Sequence, residues 1–412
     1  MREMKDSGID WIGEIPADWN VYRNKNGFIC NKEIVGEKSS ITQLLSLTTK
    51  GIKEKDINNA EGKLPESFDT YQIVKKDNMV MCLFDLDVSA VFSGLSAYDG
   101  MISPAYRVLS CKATIVPRYA GYWFQYIGFG RKFNHYAKNI RYTLGIDEFM
   151  SLPMLFPSIE KQNIIADFLD DKCGKIEKII EKQEQIIEKL NEYKYSLLNE
   201  LFADVSGEAT TCHVGFLGEM KNGLNFSDTT DGDKIKFLGV GDFKDHFYLD
   251  SSDMFSTIQL SEEIDEDYCL KNGDIIFVRS NGSKELVGRA VMVDRIDFPV
   301  TYSGFCIRFR NIRQDVLDSR YLLYFFRTPY FRKQLEKYSY GSNISNMNQD
   351  LLSQISITFP PMDVQKRSIQ RIEKKMRIID KTIEKRNLIV EKLDLYKKAL
   401  IYEVITGKKE IF

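Results

Sequence analysis

The sequence predicts a mixed α/β (α+β) protein made of two globular domains separated by two long antiparallel coiled-coil helices. It is a tandem repeat with pseudo-twofold symmetry. Three observations carry this: a gap-free internal repeat, a heptad in each copy of it, and two divergent segments of ordinary globular composition between the copies.

Residues 156–204 align with 359–407 at a constant offset of 203, with 17 identities in 49 positions. Phe156-Pro157 matches Phe359-Pro360, Gln162 matches Gln365, and Glu188-Lys189-Leu190 matches Glu391-Lys392-Leu393. Internal self-similarity at a fixed spacing marks a duplicated structural unit. The similarity fades upstream, where Tyr119-x-x-Tyr122-Trp123-Phe124 still resembles Tyr321-x-x-Tyr324-Phe325-Phe326. The expected layout is a first domain over 1–155, a helix in 156–204, a second domain over 205–358, a helix in 359–407 and a tail at 408–412.

Each copy follows a heptad. Its seam holds Leu169, Cys173, Ile176, Ile180, Gln183, Ile187, Leu190, Lys194, Leu197 and Leu201 in the first copy. In the second it holds Ile372, Met376, Ile379, Ile383, Arg386, Val390, Leu393, Lys397, Leu400 and Val404. Alternating steps of three and four define a coiled-coil seam. Proline precedes each copy and glycine follows it, as at helix boundaries. Gly174 is placed to split the first helix. Each apolar stripe needs cover, and the other copy is the simplest partner. Gln183 and Arg386, equivalent polar seam positions, either fix register or mark a solvated gap.

Composition excludes several classes. The chain has 412 residues, 57 basic and 59 acidic, and a net charge of −2. An apolar content of 43% excludes wholesale disorder. No segment is apolar enough to span a bilayer, and Met1–Asp6 lacks a signal-peptide core, so a cytoplasmic protein is expected. The seven cysteines are scattered without a CxxC pair, and three histidines show no ligand spacing, so no metal is expected.

The near-neutral total hides a separation. Residues 100–146 contain no acid but seven bases, and 319–349 contain a single acid, Glu336. Such zones suit phosphate, while Asn, Gln and Arg can read base edges. The candidate DNA-contacting residues are therefore Lys138, Asn139, Arg141 and Tyr142 in the first half. In the second they are Arg279, Asn281, Lys284, Asn343, Asn346 and Asn348. For any one of them an ordinary polar turn is the competing reading. The aromatics around 119–136 and 321–331 fit helix core better than base stacking.

Catalytic motifs are missing. Phe237-Leu-Gly239-Val-Gly241 imitates a cofactor-binding glycine loop, but the sequence after it lacks a helical pattern. There is no GxxxxGK[ST] and no Asn-Pro-Pro-Tyr. No catalytic residues are expected in this chain.

Taken in order, Asp6-Ser-Gly-Ile-Asp-Trp11-Ile-Gly-Glu-Ile-Pro16-x-x-Trp19, the repeated Phe-Pro-x-x-x-x-Gln segments and the closing Leu400-Ile-Tyr-Glu-Val-Ile-Thr-Gly407 resemble the specificity subunit of type I restriction–modification enzymes. The resemblance covers essentially the whole chain. It implies two target recognition domains, each reading one half of a split, asymmetric DNA site. It implies a helical spacer that docks two modification (methyltransferase) subunits and an ATP-dependent restriction subunit. S-adenosylmethionine, ATP and Mg would then belong to those partners, with no cofactor here. The chain departs from the pattern in lacking a second Trp-x-x-x-x-Pro-x-x-Trp motif, so either the second domain begins differently or the N-terminal motif joins the C-terminal segment. The other readings are a coiled-coil adaptor that binds no DNA and a stand-alone DNA methyltransferase.

Overall fold

The computed structural model describes residues 2–411 apart from 57–64, 66, 88, 90, 138–141, 204–207, 227–231, 261–262, 284 and 339–345. The chain divides into two compact units, Met1–Glu184 with Asn387–Phe412, and Gln185–Arg386. Two long helices, one from each repeat, pass through both units.

In the first unit a four-stranded antiparallel sheet runs in the order Phe28–Asn31, Arg107–Cys111, Met79–Met81, Ser93–Leu95. The helix α1 (Pro117–Phe129) packs on it. Val116 caps α1 and Pro117 fills its first turn, where the missing N–H is harmless. Short helix α2 (Ile146–Ser151) leads into strand Pro153–Phe156, which pairs antiparallel with Asn20–Arg23. The long helix α3 (Ile159–Ala203) follows. Ser158 Oγ accepts from Lys161 N, so a side chain satisfies one orphan donor of its first turn.

The second unit repeats this plan. Its sheet runs Gly218–Asn222, Cys306–Asn311, Ile275–Val278, Ala290–Val293, with a fifth strand, Tyr248–Leu249, added in parallel. The helix α4 (Ser319–Phe326) takes the place of α1 and is followed by α5 (Pro329–Tyr338). Helix α6 (Gln349–Ser353) leads to strand Ser356–Phe359, paired with Thr210–His213, and then to the long helix α7 (Met362–Ile405). A second sheet, Ser256–Leu260, Asp233–Leu238, Val300–Tyr302, is an elaboration of this unit.

Both long helices are uninterrupted. Gly174 leaves α3 intact, because one glycine costs a helix only about 1 kcal/mol against the packing of its flanks. The 45 residues of α3 span about 67 Å at 1.5 Å per residue. Every seam position named above is buried or half-buried, including Ile176, Ile180, Gln183, Ile187, Leu190, Ile379, Ile383, Arg386, Val390 and Leu393. The helices run antiparallel. In the second unit Lys194 meets Asp380 at 2.6 Å and Glu200 meets Lys375 at 3.5 Å, so one number rises as the other falls. In the first unit Lys397 meets Glu177 at 3.2 Å. This is the Lys194–Asp380 pair with the two helices exchanged, since both members are shifted by 203.

The opening motif joins the closing one. Strands Met4–Asp6 and Glu14–Pro16 form a hairpin whose Ile9, Ile12, Ile15 and Trp19 share one core with Leu400, Ile401, Val404 and Ile405 of α7. Gly407 sits at φ +71°, and any side chain there would strike the Pro16 ring at 2.6 Å and Trp19 at 3.1 Å. The N-terminal motif is therefore the junction with the C-terminal segment, which explains why it occurs once. Among the described residues no equivalent hairpin precedes Thr210–His213.

Candidate nucleic-acid interface

Strand Ile275–Val278 delivers Arg279 to a meeting point of four loops. Arg279 N donates to Phe305 O at 2.8 Å, and its carbonyl accepts from Met347 N at 2.8 Å. Ser280 and Asn346 form an antiparallel bridge. The Arg279 guanidinium donates to Gly304 O at 3.3 Å, while its Nε is buried without a partner. A side chain at Gly304 would run into the Asn225 amide, so Asn225 belongs to the same face. The two loops singled out in the second half, far apart in sequence, are thus joined. They bring Arg279, Asn281 and Asn346 together with two residues the sequence did not flag, Asn225 and Phe305. Phe305 is 57% exposed, an unusual state for a large aromatic.

The first unit builds the same junction. Leu144 N donates to Leu83 O at 2.8 Å, the counterpart of the Met347–Arg279 bond, and Leu86 N donates to Tyr142 O at 3.3 Å. Tyr142 therefore lies against the loop 83–87, which sequence reasoning missed because it carries Asp85 and Asp87 in place of bases. Asp85, Arg131 and Tyr142 all hold positive φ, at 49°, 47° and 42°. The Arg131 guanidinium donates to the carbonyl of Asp87. Left-handed backbone in a bulky residue such as tyrosine is costly and gathers at functional loops.

Not every candidate has the freedom to read DNA. The Asn348 carboxamide caps α6, its Oδ1 accepting from Leu351 N at 2.8 Å. Asn281 is half-buried, and its Oδ1 accepts from Ser283 N at 2.8 Å in a turn. Asn346 is exposed. Lys138, Asn139, Arg141, Lys284 and Asn343 lie outside the described residues.

Several described bases of these zones make contacts within the protein. Arg118 pairs with Asp167 and Asp170. Lys112 donates to Lys25 O, Arg320 pairs with Asp318, and Arg332 with Glu336. Arg327 lies 4.3 Å over the Phe247 ring and donates to Ala290 O. Burial moves the Arg327 guanidinium below its ordinary range. Arg118 and, through Glu373, Arg320 meet acids distant in sequence; the others meet a neighbouring acid, backbone carbonyls or a ring, so the local charge count overstates the unengaged positive charge. The aromatics are core: Tyr119, Trp123, Phe124, Tyr321, Tyr324 and Phe325 are all buried.

Gly239 is followed by a single turn, Val240–Asp242, and not by a phosphate-binding helix. His213 Nδ1 lies 3.0 Å from Gln354 O, and among the described residues no cluster of potential metal ligands occurs. No helix among them is long and apolar enough to cross a membrane.

Residues 212–391 match the family model described as type I restriction modification DNA specificity domain. The chain is 28% identical over 273 residues to the type I restriction enzyme StySPI specificity subunit of Salmonella potsdam, covering 61% of this chain and 56% of that protein. It is 24% identical over 286 residues to the MjaVIII specificity subunit of Methanocaldococcus jannaschii, covering 63% of each. Each match spans less than two thirds of the relative's length. A solved chain from a study of complex assembly and conformational transition of the type I R-M system superposes with a TM-score of 0.69. It does so at 11% identity, over 96% of this chain and 99% of that one. Over the residues matched, the chain is therefore similar to type I restriction–modification specificity subunits, and its fold is shared with the solved chain.

Proposed function

We propose that this chain is the DNA-reading, non-catalytic subunit of a methyltransferase and restriction complex. Each unit carries one recognition domain, and each domain reads one half of a split, asymmetric site. The carrying observation is the repeated junction of a strand-end loop with the loop before the spacer. It occurs at Arg279–Met347 in one unit and at Leu83–Leu144 in the other. Rigid sheets thus hold two divergent loop pairs in equivalent places, as recognition of two different half-sites requires. Arg279, Asn281, Asn346, Tyr142, Asn225 and Phe305 are the described residues best placed to touch DNA.

The spacer supports a docking role. Outside the seam the first unit exposes Ile179, Leu388, Ile389, Leu395 and Tyr396, and the second exposes Tyr193, Tyr195 and Ile378. Apolar side chains repeating along a charged helix suit an amphipathic partner helix. One such face per unit fits two modification subunits. S-adenosylmethionine, ATP and Mg then belong to the modification and restriction subunits, and the complex works on DNA in the cytoplasm.

The test is co-expression with a neighbouring methyltransferase gene, followed by mapping of methylated adenines. Two short specific sequences separated by a fixed non-specific gap are expected. Methylation of one uninterrupted sequence, or transfer by the purified chain alone, would overturn the proposal.

A further inference from the structure

The two halves diverge in most residues, yet each keeps a cluster of arginine, tyrosine and acid between its recognition domain and its spacer helix. In the first unit Arg118 of α1 reaches Asp170 of α3 at 2.6 Å, and Tyr122, one turn on, donates to the same carboxylate at 2.8 Å. In the second Arg320 of α4 lies 3.6 Å from Glu373 of α7, and Tyr324 donates to the same oxygen at 3.2 Å. Tyr248 adds a further hydroxyl at 2.7 Å from Tyr324 and 3.4 Å from Glu373. Arginine, tyrosine and acid occupy matching positions in both halves, with Arg and Tyr shifted by 202 and the acid by 203.

Core packing does not require this. Arg118 and Asp170 are 42% and 43% exposed, and an apolar or shorter side chain would fit either place. What the contact does is directional. A carboxylate held by an arginine and a tyrosine on one face of a helix resists rotation of that helix about its contact. The acid stands eight residues, about two turns, beyond the buried Gln162 or Gln365. Beside the apolar packing of the shared core, each domain is therefore tied to its helix by polar contacts at two points. Directional ties two turns apart fix the bearing that apolar packing alone leaves free to slide.

We propose that Asp170 and Glu373 are positioning residues that fix the bearing of each recognition domain on its spacer helix, and so set the half-site gap the subunit accepts. This rests on the DNA-reading function proposed above. Changing the gap by one base pair moves a half-site by about 3.4 Å and turns it by about 35°. Rejecting that change needs domains that do not swivel.

The experiment uses the full chain with its methyltransferase subunits. Once the split site is mapped, binding is measured to duplexes with the native gap and with gaps one base pair shorter and longer. The wild type is compared with Asp170→Asn, Glu373→Gln and the double variant, with Asp170→Glu as the conservative control. Each single change should cut the preference for the native gap about threefold to fivefold, and the double change about tenfold or more. Sequence preference within each half-site should stay intact, which shows that both domains remain folded. Asp170→Glu should retain the gap preference. A double variant with wild-type gap preference overturns the proposal. A wild type that modifies no split site overturns the DNA-reading function instead. The clamp is then judged by hydrogen exchange in the full chain, where unchanged protection of 117–129 and 319–326 in the double variant overturns it.

Discussion

Side chains at the loop junction divide into those that face solvent and those that hold the loops together. Asn346 is exposed, and its backbone bridge to Ser280 does not need its amide. Asn346→Ala should therefore weaken discrimination at one half-site by about 1–3 kcal/mol and leave stability unchanged. Arg279 differs, because its guanidinium ties the junction to Gly304. Arg279→Ala should lose both discrimination and thermal stability. Competition binding with single-base variants of the site, run beside a melting curve, separates the two. The thiols supply a pH prediction. Burial pushes Cys111 and Cys306 up to about 12 and Cys173 up to about 11, from an ordinary 9.0. A thiol raised in the native state keeps its proton while the unfolded chain releases it. Its contribution is thus fully present below pH 9 and is lost as pH rises through 11 to 12. Denaturant midpoints should fall across that window, and Cys→Ser at these positions should flatten the fall. A thiol reagent at pH 8 should leave these three cysteines unlabelled in the native protein.

Among the elements, the repeated glutamines do the most with one side chain. Gln162 Oε1 accepts from Val116 N at 2.8 Å, while its Nε2 donates to Thr114 O and Pro157 O. Gln365 makes the same three bonds, to Asp318 N, Val316 O and Pro360 O. Each is buried and joins the start of a spacer helix to the start of a domain helix. Gln365→Ala would leave three backbone groups without partners, at about 1–3 kcal/mol each where water cannot reach them. A loss of about 3 kcal/mol in urea unfolding of the second unit is expected, and Gln162→Ala should do the same to the first. The glutamine match was visible in the sequence, but its partners in the domain were not, because they lie 46–49 residues upstream, whereas Pro157 and Pro360 are only five away. The heptads were legible for the opposite reason. Their pattern is local, and every seam position is covered. Local periodicity also hid something: Lys194 and Lys397 look like seam defects until their acids on the opposite helix are seen. The same limit applies to the loop 83–87, which no local pattern connects to Tyr142.

For the whole molecule, the linear order of domains gives way to a closed one. A first domain read as 1–155 is completed by residues from the far end of the chain, since Asn387–Phe412 belongs to the same compact unit. Only the single N-terminal motif hinted at this, through its missing duplicate. The consequence can be tested, because all three tryptophans of the chain, Trp11, Trp19 and Trp123, lie in that unit. Trp19 and Trp123 are buried, and the Trp11 ring lies tilted 6.2 Å from Trp123. Tyr402 of α7 packs on Tyr126 at 5.4 Å, with Leu400, Ile401, Val404 and Ile405 beneath the hairpin. Burying an aliphatic side chain contributes about 1.5–3 kcal/mol, so removing those four takes away about 6–12 kcal/mol of gross burial. That is comparable to the net stability of a whole domain. Ending the chain at residue 386 should therefore unfold the first unit. Tryptophan emission should shift to longer wavelength, although every deleted residue lies more than 250 positions from the nearest tryptophan in sequence. Adding a peptide of residues 387–412 should reverse the shift with a measurable dissociation constant. A truncated chain whose emission matches that of the full chain would mean that the first domain stands without its C-terminal helix.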